Sequence, residues 1–217
     1  MTYYFSKLTL TKKGVDYRIT SLTWDSYNIH KEIWDLFPGM PDSERGFIYS
    51  VLDDGRTVYL ISSREPVENN YWNVETKVYD PVVKLGDVFD FRLLANPTVM
   101  KTVGDKHKRH DVVMDMKKKY RSEGKEFTMN DIIHDSVAEW VVRKGVLNGF
   151  EVDSSSLRIH SYSRNESKKS NKTITFSTVV IEGTLRVTEC ILFRDCLFNG
   201  IGSAKGFGCG MLMIKRI

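Results

Sequence analysis

A tyrosine and a histidine three residues apart are the first candidates for chemistry. Tyr27 and His30 lie in a segment that predicts a helix over residues 25–37, ended by Pro38-Gly39. At about 100° per residue, both side chains lie beside the apolar stripe of this helix, and residues i and i+3 are neighbours on its surface. Because imidazole titrates near neutral pH, a partly desolvated histidine beside a phenol is a plausible acid–base pair. The alternative is a histidine at the border of the core that only forms a hydrogen bond.

A cluster of glycines near the C-terminus is the second candidate. Five of the 15 glycines fall within residues 200–210, together with Lys205. Closely spaced glycines let backbone amides approach a phosphate, and the lysine adds positive charge. The spacing matches neither a P-loop nor a dinucleotide-binding fingerprint. The alternative is a tight connection between a helix and a strand, in which glycines supply positive φ angles.

Two segments concentrate the positive charge of the chain. The 217 residues carry a formal charge of only +4, which does not by itself indicate a nucleic-acid-binding protein. Residues 101–126 contain nine basic and five acidic side chains, and residues 158–172 contain five basic and one acidic. Together these segments contribute +8, so the rest of the chain is net acidic. This distribution favours a phosphate-binding surface, and the alternative is a pair of solvated loops.

The cysteines and histidines predict neither a disulfide framework nor a metal site. The three cysteines form no C-x-x-C motif and have no histidine at zinc spacing. Free thiols are typical of a reducing cytoplasm. The first residues lack the pattern of a signal peptide, and no apolar run approaches the ~20 residues of a membrane span. The sequence therefore predicts a cytoplasmic protein without a membrane segment, a metal or a cofactor.

The N-terminal half must position the Tyr27–His30 helix with a set of strands. Lys12-Lys13-Gly14 predicts a break after the first strand, and Asp53-Asp54-Gly55-Arg56 predicts a hairpin turn. The predicted strands are residues 3–11, 47–52, 57–62 and 74–79, and a short helix is predicted over residues 68–73. This β-α-β-β-(α)-β order is the ferredoxin-like arrangement.

The C-terminal half loosely repeats this order. Predicted strands cover residues 86–95, 157–163, 173–181 and 211–214, and predicted helices cover residues 128–144 and 188–199. Residues 101–125 show no clear pattern. The predicted fold class is therefore α+β, with two tandem ferredoxin-like βαββαβ domains over residues 1–90 and 91–217. The two halves share no clear residue-level repeat, so their duplication is inferred from element order alone.

Several motifs occur in an order that resembles a known family. They are residues 4–10 (YFSKLTL), 24–38 (WDSYNIHKEIWDLFP), 91–97 (FRLLANP), Lys108-Arg109, 180–183 (VIEG) and the glycine cluster at 200–210. Over essentially the whole chain, this pattern resembles the CRISPR repeat-processing endoribonucleases of type I-E systems, the CasE family. The Tyr-x-x-His helix and the terminal Gly-Ile-Gly-x-Ala-Lys-x-x-Gly-x-Gly are its most specific parts. The chain departs from the family pattern at Ser203, where proline is expected.

The resemblance implies two ferredoxin-like (RAMP-type) domains and an endoribonuclease that needs no metal. Such an enzyme cuts CRISPR precursor RNA at the 3′ base of each repeat stem-loop, keeps the product and joins other Cascade subunits. It is expected to be a monomer when free. The resemblance implies His30 as the catalytic histidine, Tyr27 as its partner, and a basic hairpin around residues 158–172 that enters the RNA major groove. The predicted RNA-binding residues are Lys31, Lys108, Arg109, Arg158, His160, Arg164, Lys168, Lys169, Lys172, Gly200, Gly202, Lys205 and Gly206.

This chemistry suits the residues, because RNA supplies its own nucleophile, the 2′-hydroxyl. The protein needs a base for that proton, an acid for the 5′-oxygen and positive charge near the phosphorane. The products would be a 2′,3′-cyclic phosphate or 3′-phosphate and a 5′-hydroxyl, and His30 is open to either role. Two other functions are a non-catalytic RNA-binding subunit of the same complex, which would not need Tyr27 and His30, and an enzyme of nucleotide or phosphate metabolites. The absence of nucleotide-binding motifs argues against the last.

Overall fold

The computed structural model of the protein describes residues 2–21, 26–39, 45–169 and 172–217. These residues form strands, α-helices and one short 3₁₀ turn over Lys205–Phe207. In chain order the strands and helices are β1 (Tyr4–Leu10), α1 (Lys12–Ser21), α2 (Ser26–Trp34), β2 (Phe47–Val51), β3 (Thr57–Ser62), β4 (Trp72–Val78), β5 (Val88–Ala95), β6 (Thr98–Val103), β7 (Lys106–Asp111), α3 (Val112–Ser122), α4 (Met129–Leu147), β8 (Phe150–Val152), β9 (Arg158–Lys169), β10 (Lys172–Val187), α5 (Cys190–Asn199) and β11 (Leu212–Arg216). None of the described helices is both long and apolar enough to span a bilayer.

The first sheet has the strand order β2-β3-β1-β4, with every pair antiparallel. This is the ferredoxin-like 4-1-3-2 order read from the other edge. The predicted hairpin between β2 and β3 is confirmed. The Asp54 carboxylate accepts hydrogen bonds from the backbone N–H groups of Arg56 and Thr57, and Gly55 has φ +62°. The turn residues therefore set the register of the two strands that lie beside the helix α2.

The second sheet repeats the same order. Its strands run β11-β5-β10-β8, and β9 also pairs with the long strand β10. The position of the second ferredoxin strand is thus divided between β8 and β9, and the predicted tandem ferredoxin-like fold class is confirmed. Strand β5 spans the boundary predicted after residue 90 and pairs along its length with β10 and β11. The division into two domains at that residue remains a prediction.

The short helix predicted over residues 68–73 is wrong. The chain is irregular there, and β4 begins at Trp72, which is fully buried. The Asn69 side chain accepts hydrogen bonds from the backbone N–H groups of Tyr71 and Trp72. Such a local side-chain bond offers the backbone an alternative to helix, which sequence periodicity does not reveal.

A helix forms where the sequence predicted only a break. Lys12-Lys13-Gly14 does end β1, but α1 begins there, and the Thr11 hydroxyl accepts a hydrogen bond from the Gly14 N–H at 3.0 Å. A Cβ atom at Gly14 would lie 2.4 Å from the Tyr71 carbonyl oxygen. Glycine is therefore needed for the close approach of α1 to the segment before β4, although glycine lowers helix propensity.

The unpatterned basic segment at 101–125 is ordered as part of the β6–β7 hairpin and as helix α3. Asp111 ends β7 and caps α3 by accepting hydrogen bonds from the N–H groups of Val113 and Met114. The hairpin is short and largely exposed, so it carries no apolar alternation for a sequence pattern to detect.

The two sheets meet through a small apolar cluster. Ile48 and Ile61 of the first sheet pack with Met211, which precedes β11. At its edge the rings of Tyr3 and Phe198 stack with centroids 4.0 Å apart. The packing of Ile48 and Ile61 against Met211 brings β2, and with it the region around α2, next to the C-terminal glycine cluster.

Candidate active site

His30 lies in α2 and is half-buried among aromatic rings. Its ring centroid is 5.9 Å from that of Trp34, 5.5 Å from that of Phe47 and 6.3 Å from that of Tyr49. The Nδ1 atom is buried. Ile29 and Ile33 on the same helix are buried in the core, so the histidine borders the apolar stripe as the sequence predicted. Aromatic packing restricts the orientation of the imidazole, as a proton-transfer group requires.

An ion pair anchors α2 to α1. The Arg18 guanidinium is 2.9 Å from the Glu32 carboxylate and also donates a hydrogen bond to the Gly55 carbonyl oxygen. It stacks 4.7 Å from the Trp72 ring and is 8% exposed. Because Glu32 is two residues from His30, this buried contact fixes the helix that carries the histidine to both α1 and the β2–β3 turn.

The glycine cluster reaches His30 across the boundary between the two sheets. A Cβ atom on Gly206 would lie 3.9 Å from the His30 Cε1 atom and 3.1 Å from Nη1 of Arg45. The Tyr49 hydroxyl donates a hydrogen bond to the Gly206 carbonyl oxygen at 3.0 Å. The two candidates that the sequence singled out separately, the histidine helix and the glycine cluster, are therefore one site.

The tight-connection interpretation of the glycine cluster holds for several of its glycines, and the phosphate-binding interpretation remains a prediction. Gly200 has φ +70° and Gly210 has φ +93°, and a Cβ atom on Gly210 would lie 2.6 Å from the Ile201 carbonyl oxygen. These residues close a tight connection in which Ile201 donates to the Gly210 carbonyl at 2.8 Å. Gly202 likewise has a positive φ, whereas Gly206 does not and lies against His30 instead. Gly200 and Gly202 thus shape the loop, and Gly206 is the glycine at the candidate site.

The segment after β5 holds this loop in place. The buried Asn96 donates to the Ser177 carbonyl at 2.6 Å and accepts from the Ser203 hydroxyl at 2.7 Å. Ser203 also bonds the Thr98 hydroxyl at 2.8 Å. Serine at the position where the family pattern has proline therefore ties the loop to β6. The following Ala204 has φ +57° and begins the 3₁₀ turn that carries Lys205 and Gly206.

Two other cations, Arg45 and Lys144, are near enough to Lys205 on this turn to repel its charge. Burial lowers the pKa of Lys205, and repulsion by Arg45 and Lys144 lowers it further. Partial burial also lowers the pKa of Arg45. Among the described residues, no carboxylate lies within 4.0 Å of these three side chains. A phosphate bound beside Lys205 would offset this repulsion.

Arg45 and Tyr49 are residues of the candidate site that the sequence did not reveal. Arg45 precedes β2 and lines an open cleft of about 460 Å³ together with Phe47 and Lys205. Tyr49 is a buried strand residue like any other aromatic in a core. No spacing rule distinguishes either of them, because their partners belong to the other half of the chain.

The basic hairpin formed by β9 and β10 reaches the same region. Strand β9 contacts α2. Arg164 is exposed on β9, opposite Ser177. A register shift between Thr178 and Val180, with Ser161 at φ +57°, bends this strand. The side chains of Tyr27, Lys168, Lys169 and Lys172 lie outside the part of the structure that is described, so their predicted roles remain predictions.

His160 and Arg158 lie near the other end of β9. Arg158 is opposite Glu182 in the ladder, and the His160 Nε2 atom is 3.3 Å from a Glu182 carboxylate oxygen. Glu182 also bonds Arg92, which in turn contacts both oxygens of Asp53 at 2.7 and 2.9 Å. His160 is thus part of an ion network that links the second sheet to the β2–β3 turn of the first.

The remaining predicted residues fall on two surfaces. Lys31 is exposed on α2, directly after His30. Lys108 and Arg109 are exposed on β7, and Arg109 lines a second cleft beside Ser203 and Phe207 of the glycine cluster. In the described part of the chain, no group of three His, Cys, Asp or Glu side chains is arranged to hold a metal ion.

Comparison with known proteins finds CRISPR-associated relatives over most of the chain. The family model described as CRISPR associated protein matches residues 3–216. The Escherichia coli K12 protein named CRISPR system Cascade subunit CasE is 32% identical over 200 residues, which cover 89% of this chain and 93% of that protein.

Solved structures share the fold. Thermus thermophilus Cse3, bound to an RNA representing a pre-cleavage complex, matches with a TM-score of 0.73 and 18% identity over 100% of both chains. Cas6e from E. coli K-12 matches with a TM-score of 0.65 and 24% identity, covering 99% of this chain and 100% of that one. From the family match and the identity to CasE, the chain belongs to the CasE family of CRISPR-associated proteins.

Proposed function

We propose that this protein is a metal-independent endoribonuclease that cuts CRISPR precursor RNA at the 3′ base of each repeat stem-loop. The observation that carries the proposal is the approach of Gly206 to His30, with the cations Arg45 and Lys205 beside them. Cleavage of a phosphodiester requires a group that transfers a proton and positive charge near the phosphate, and His30 with the neighbouring cations would supply both. The similarity to CasE supports CRISPR repeat RNA as the substrate.

The reaction uses the 2′-hydroxyl of the RNA as the nucleophile. Its oxygen forms a bond to the adjacent phosphorus while the bond to the 5′-oxygen of the next nucleotide breaks, giving a 2′,3′-cyclic phosphate and a 5′-hydroxyl. His30 either takes the proton from the 2′-oxygen or delivers one to the 5′-oxygen, and Tyr27 assists from one turn earlier on α2. Lys205 and Arg45 stabilise the negative charge that grows on the phosphorane oxygens.

The stem of the RNA lies along the basic hairpin. Arg164 is exposed on β9, the strand that contacts α2, and Lys168, Lys169 and Lys172 lie further along the same hairpin. Double-stranded RNA is recognised mainly through its shape and phosphates, which suits a charged hairpin better than a base-reading helix. After cleavage the protein keeps the stem-loop and joins the other Cascade subunits; before that it is a monomer.

Cleavage of a repeat hairpin RNA in excess EDTA tests this proposal. The wild-type protein is expected to cut at the 3′ base of the stem, and His30→Ala is expected to bind the RNA without cutting it. His134→Ala is the matched control, because His134 is exposed on α4. Cleavage that needs Mg²⁺, or that survives in His30→Ala, would overturn the assignment. Binding without any cleavage by the wild-type protein would favour a non-catalytic RNA-binding subunit.

A further inference from the structure

A second cleft borders the same 3₁₀ turn that approaches His30. It has a volume of about 410 Å³ and lies between the start of β6, strand β7, strand β10 and the glycine cluster. Two half-buried aromatic side chains, Phe176 and Phe207, form one wall, with ring centroids 4.7 Å apart and planes inclined by 32°. Arg109 lines the cleft from β7. Neither ring is part of a hydrophobic core cluster.

The lining combines the groups that bind a single nucleotide. Partly exposed rings provide a stacking surface for a base, and Arg109 has no carboxylate within 4.0 Å among the described residues. Asn96, Thr98 and Ser203 add polar groups. The one acidic residue in the lining, Asp111, already accepts hydrogen bonds from the α3 N-terminus and the Tyr162 hydroxyl. Its carboxylate is therefore already hydrogen-bonded within the protein, and the N-terminus of α3 partly offsets its charge.

The cleft is adjacent to the candidate reaction centre. Gly206 faces His30 and the next residue, Phe207, faces the cleft, and consecutive Cα atoms are about 3.8 Å apart. Attack by the 2′-oxygen requires the 5′-oxygen to lie on the opposite side of the phosphorus. Regular A-form stacking does not provide this arrangement. One of the two nucleotides that flank the cleaved bond must therefore leave the stack. Under the proposed function the 5′ one ends the paired stem, so the unpaired 3′ nucleotide moves more easily, and its base needs a place to bind.

We propose that this cleft holds the unpaired nucleotide on the 3′ side of the cleaved phosphodiester, with its base against Phe176 and Phe207 and a phosphate beside Arg109. The inference rests on the proposed function and adds to it the residues that hold the leaving nucleotide. That nucleotide departs with the 5′-hydroxyl product. The cleft therefore accelerates cleavage of the precursor and contributes nothing to affinity for the stem-loop product.

Single-turnover cleavage of intact and abasic precursors tests the proposal. Removing the base at the first 3′ position is expected to lower the rate of wild-type cleavage about tenfold, which is the usual effect of losing one base–aromatic stacking contact. Phe176→Ala is expected to slow cleavage of the intact RNA by a similar factor and to have no further effect on the abasic RNA. Affinity for the stem-loop product should stay within twofold of wild type.

Matched variants separate stacking from damage to the fold. Tyr17→Ala is the control, because Tyr17 on α1 forms a similar tilted pair with Tyr71, with centroids 5.0 Å apart. Phe176→Leu retains an apolar side chain of nearly the same size, and Arg109→Gln changes only an exposed residue. We expect Phe176→Leu to be intermediate, and Arg109→Gln to slow cleavage less at high salt, where phosphate contacts are weaker.

Three outcomes would overturn the inference. The first is an unchanged rate of wild-type cleavage when the RNA lacks the base at the first 3′ position. The second is a Phe176→Ala defect that is equally large on intact and abasic RNA. The third is a loss of affinity of Phe176→Ala for the stem-loop product that is as large as its loss of cleavage rate. In each of these cases the wild-type protein still cleaves the precursor, so the proposed function stands while the cleft assignment fails. Absence of any cleavage would instead overturn both.

Discussion

The Tyr49 hydroxyl donates a hydrogen bond to the Gly206 carbonyl oxygen over 3.0 Å, and this bond joins the first sheet to the glycine cluster of the second. The same tyrosine ring lies 6.3 Å from the His30 ring with their planes inclined by 23°. One buried side chain thus contacts both parts of the candidate site. The relative position of the histidine and the loop depends on it.

Removing only the hydroxyl tests this dependence. Tyr49→Phe is expected to cost about 1 kcal/mol of unfolding free energy, the usual value of one hydrogen bond. It should lower the cleavage rate more than the affinity for the stem-loop, because the loop is displaced from His30 while the basic hairpin is unchanged. Tyr59→Phe is the control, since that ring packs in the apolar cluster between the sheets. An unchanged cleavage rate in Tyr49→Phe would contradict the positioning role.

Two glycine substitutions distinguish the site from the loop that supports it. In Gly206→Ala the new methyl meets the flexible end of Arg45 at 3.1 Å, so stability should change by less than about 1 kcal/mol while cleavage falls. In Gly210→Ala a positive φ and a contact of 2.6 Å with the Ile201 carbonyl should cost about 1–3 kcal/mol. Denaturant unfolding and single-turnover cleavage measure both effects. A Gly206→Ala protein with full activity would remove Gly206 from the site.

Neutralising Lys205 should reduce activity without reducing stability. Burial and the neighbouring cations lower its pKa, so its charge destabilises the folded state. Lys205→Gln is therefore expected to unfold at the same or a higher temperature, and to cleave about tenfold more slowly because a charged phosphate contact is lost. The charge of Lys205 destabilises the folded protein only at pH values at which the folded protein carries that charge. The stability gained in Lys205→Gln should therefore disappear as pH rises toward the ordinary lysine pKa. Lys215→Gln, on the exposed end of β11, is the control. Full activity in Lys205→Gln would exclude Lys205 from the site.

The Glu182 ion network should contribute stability that depends on pH. Burial acts against the charged form, but hydrogen bonds from Arg92 and His160 outweigh it and lower the pKa of Glu182. A lowered carboxyl pKa gives stability that is present above the unfolded pKa and is lost as pH falls through the folded one. Glu182→Gln should therefore cost about 0.5–1 kcal/mol at neutral pH and nothing well below pH ~4.

Thermal unfolding between acidic and neutral pH measures the Glu182 effect. The control is Glu75→Gln, whose pair with Lys7 is far more exposed and should matter less. A destabilisation of Glu182→Gln that persists unchanged at low pH would show that packing rather than charge holds the network.

Two of the three cysteines should resist alkylation in the folded protein. Burial raises the pKa of Cys196 and of Cys209 to about 12, so neither forms the reactive thiolate near neutral pH. Cys190 is only half-buried, at the start of α5. Iodoacetamide at pH 8 is expected to add at most one label, and three labels after denaturation, as counted by intact mass spectrometry. Two labels on the folded protein would mean that the core opens at α5, which contains Cys196, or at the glycine cluster, which contains Cys209.

Local patterns in the sequence were sufficient for most elements near the site. Helix α2 is amphipathic, the Asp-Gly step specifies the β2–β3 hairpin, and Thr128 with Asp131 forms a capping box at α4. Each of these depends on residues a few positions apart. Among the elements that were missed, α1 and the irregular segment before β4 contact each other at Gly14 and Tyr71, and the exposed β6–β7 hairpin has no apolar alternation to detect.

By itself the sequence determined the family, the two ferredoxin-like units and the two parts that could carry chemistry, because motif order and periodicity are properties of the chain. Only the tertiary structure decided that Gly206 lies against His30, that Arg45 and Tyr49 lie beside them, and that Gly200 and Gly210 shape the loop. The physical reason is distance along the chain: β2 and the glycine cluster meet only after the two sheets pack through Ile48, Ile61 and Met211. A contact made by that packing leaves no spacing for a sequence pattern to detect.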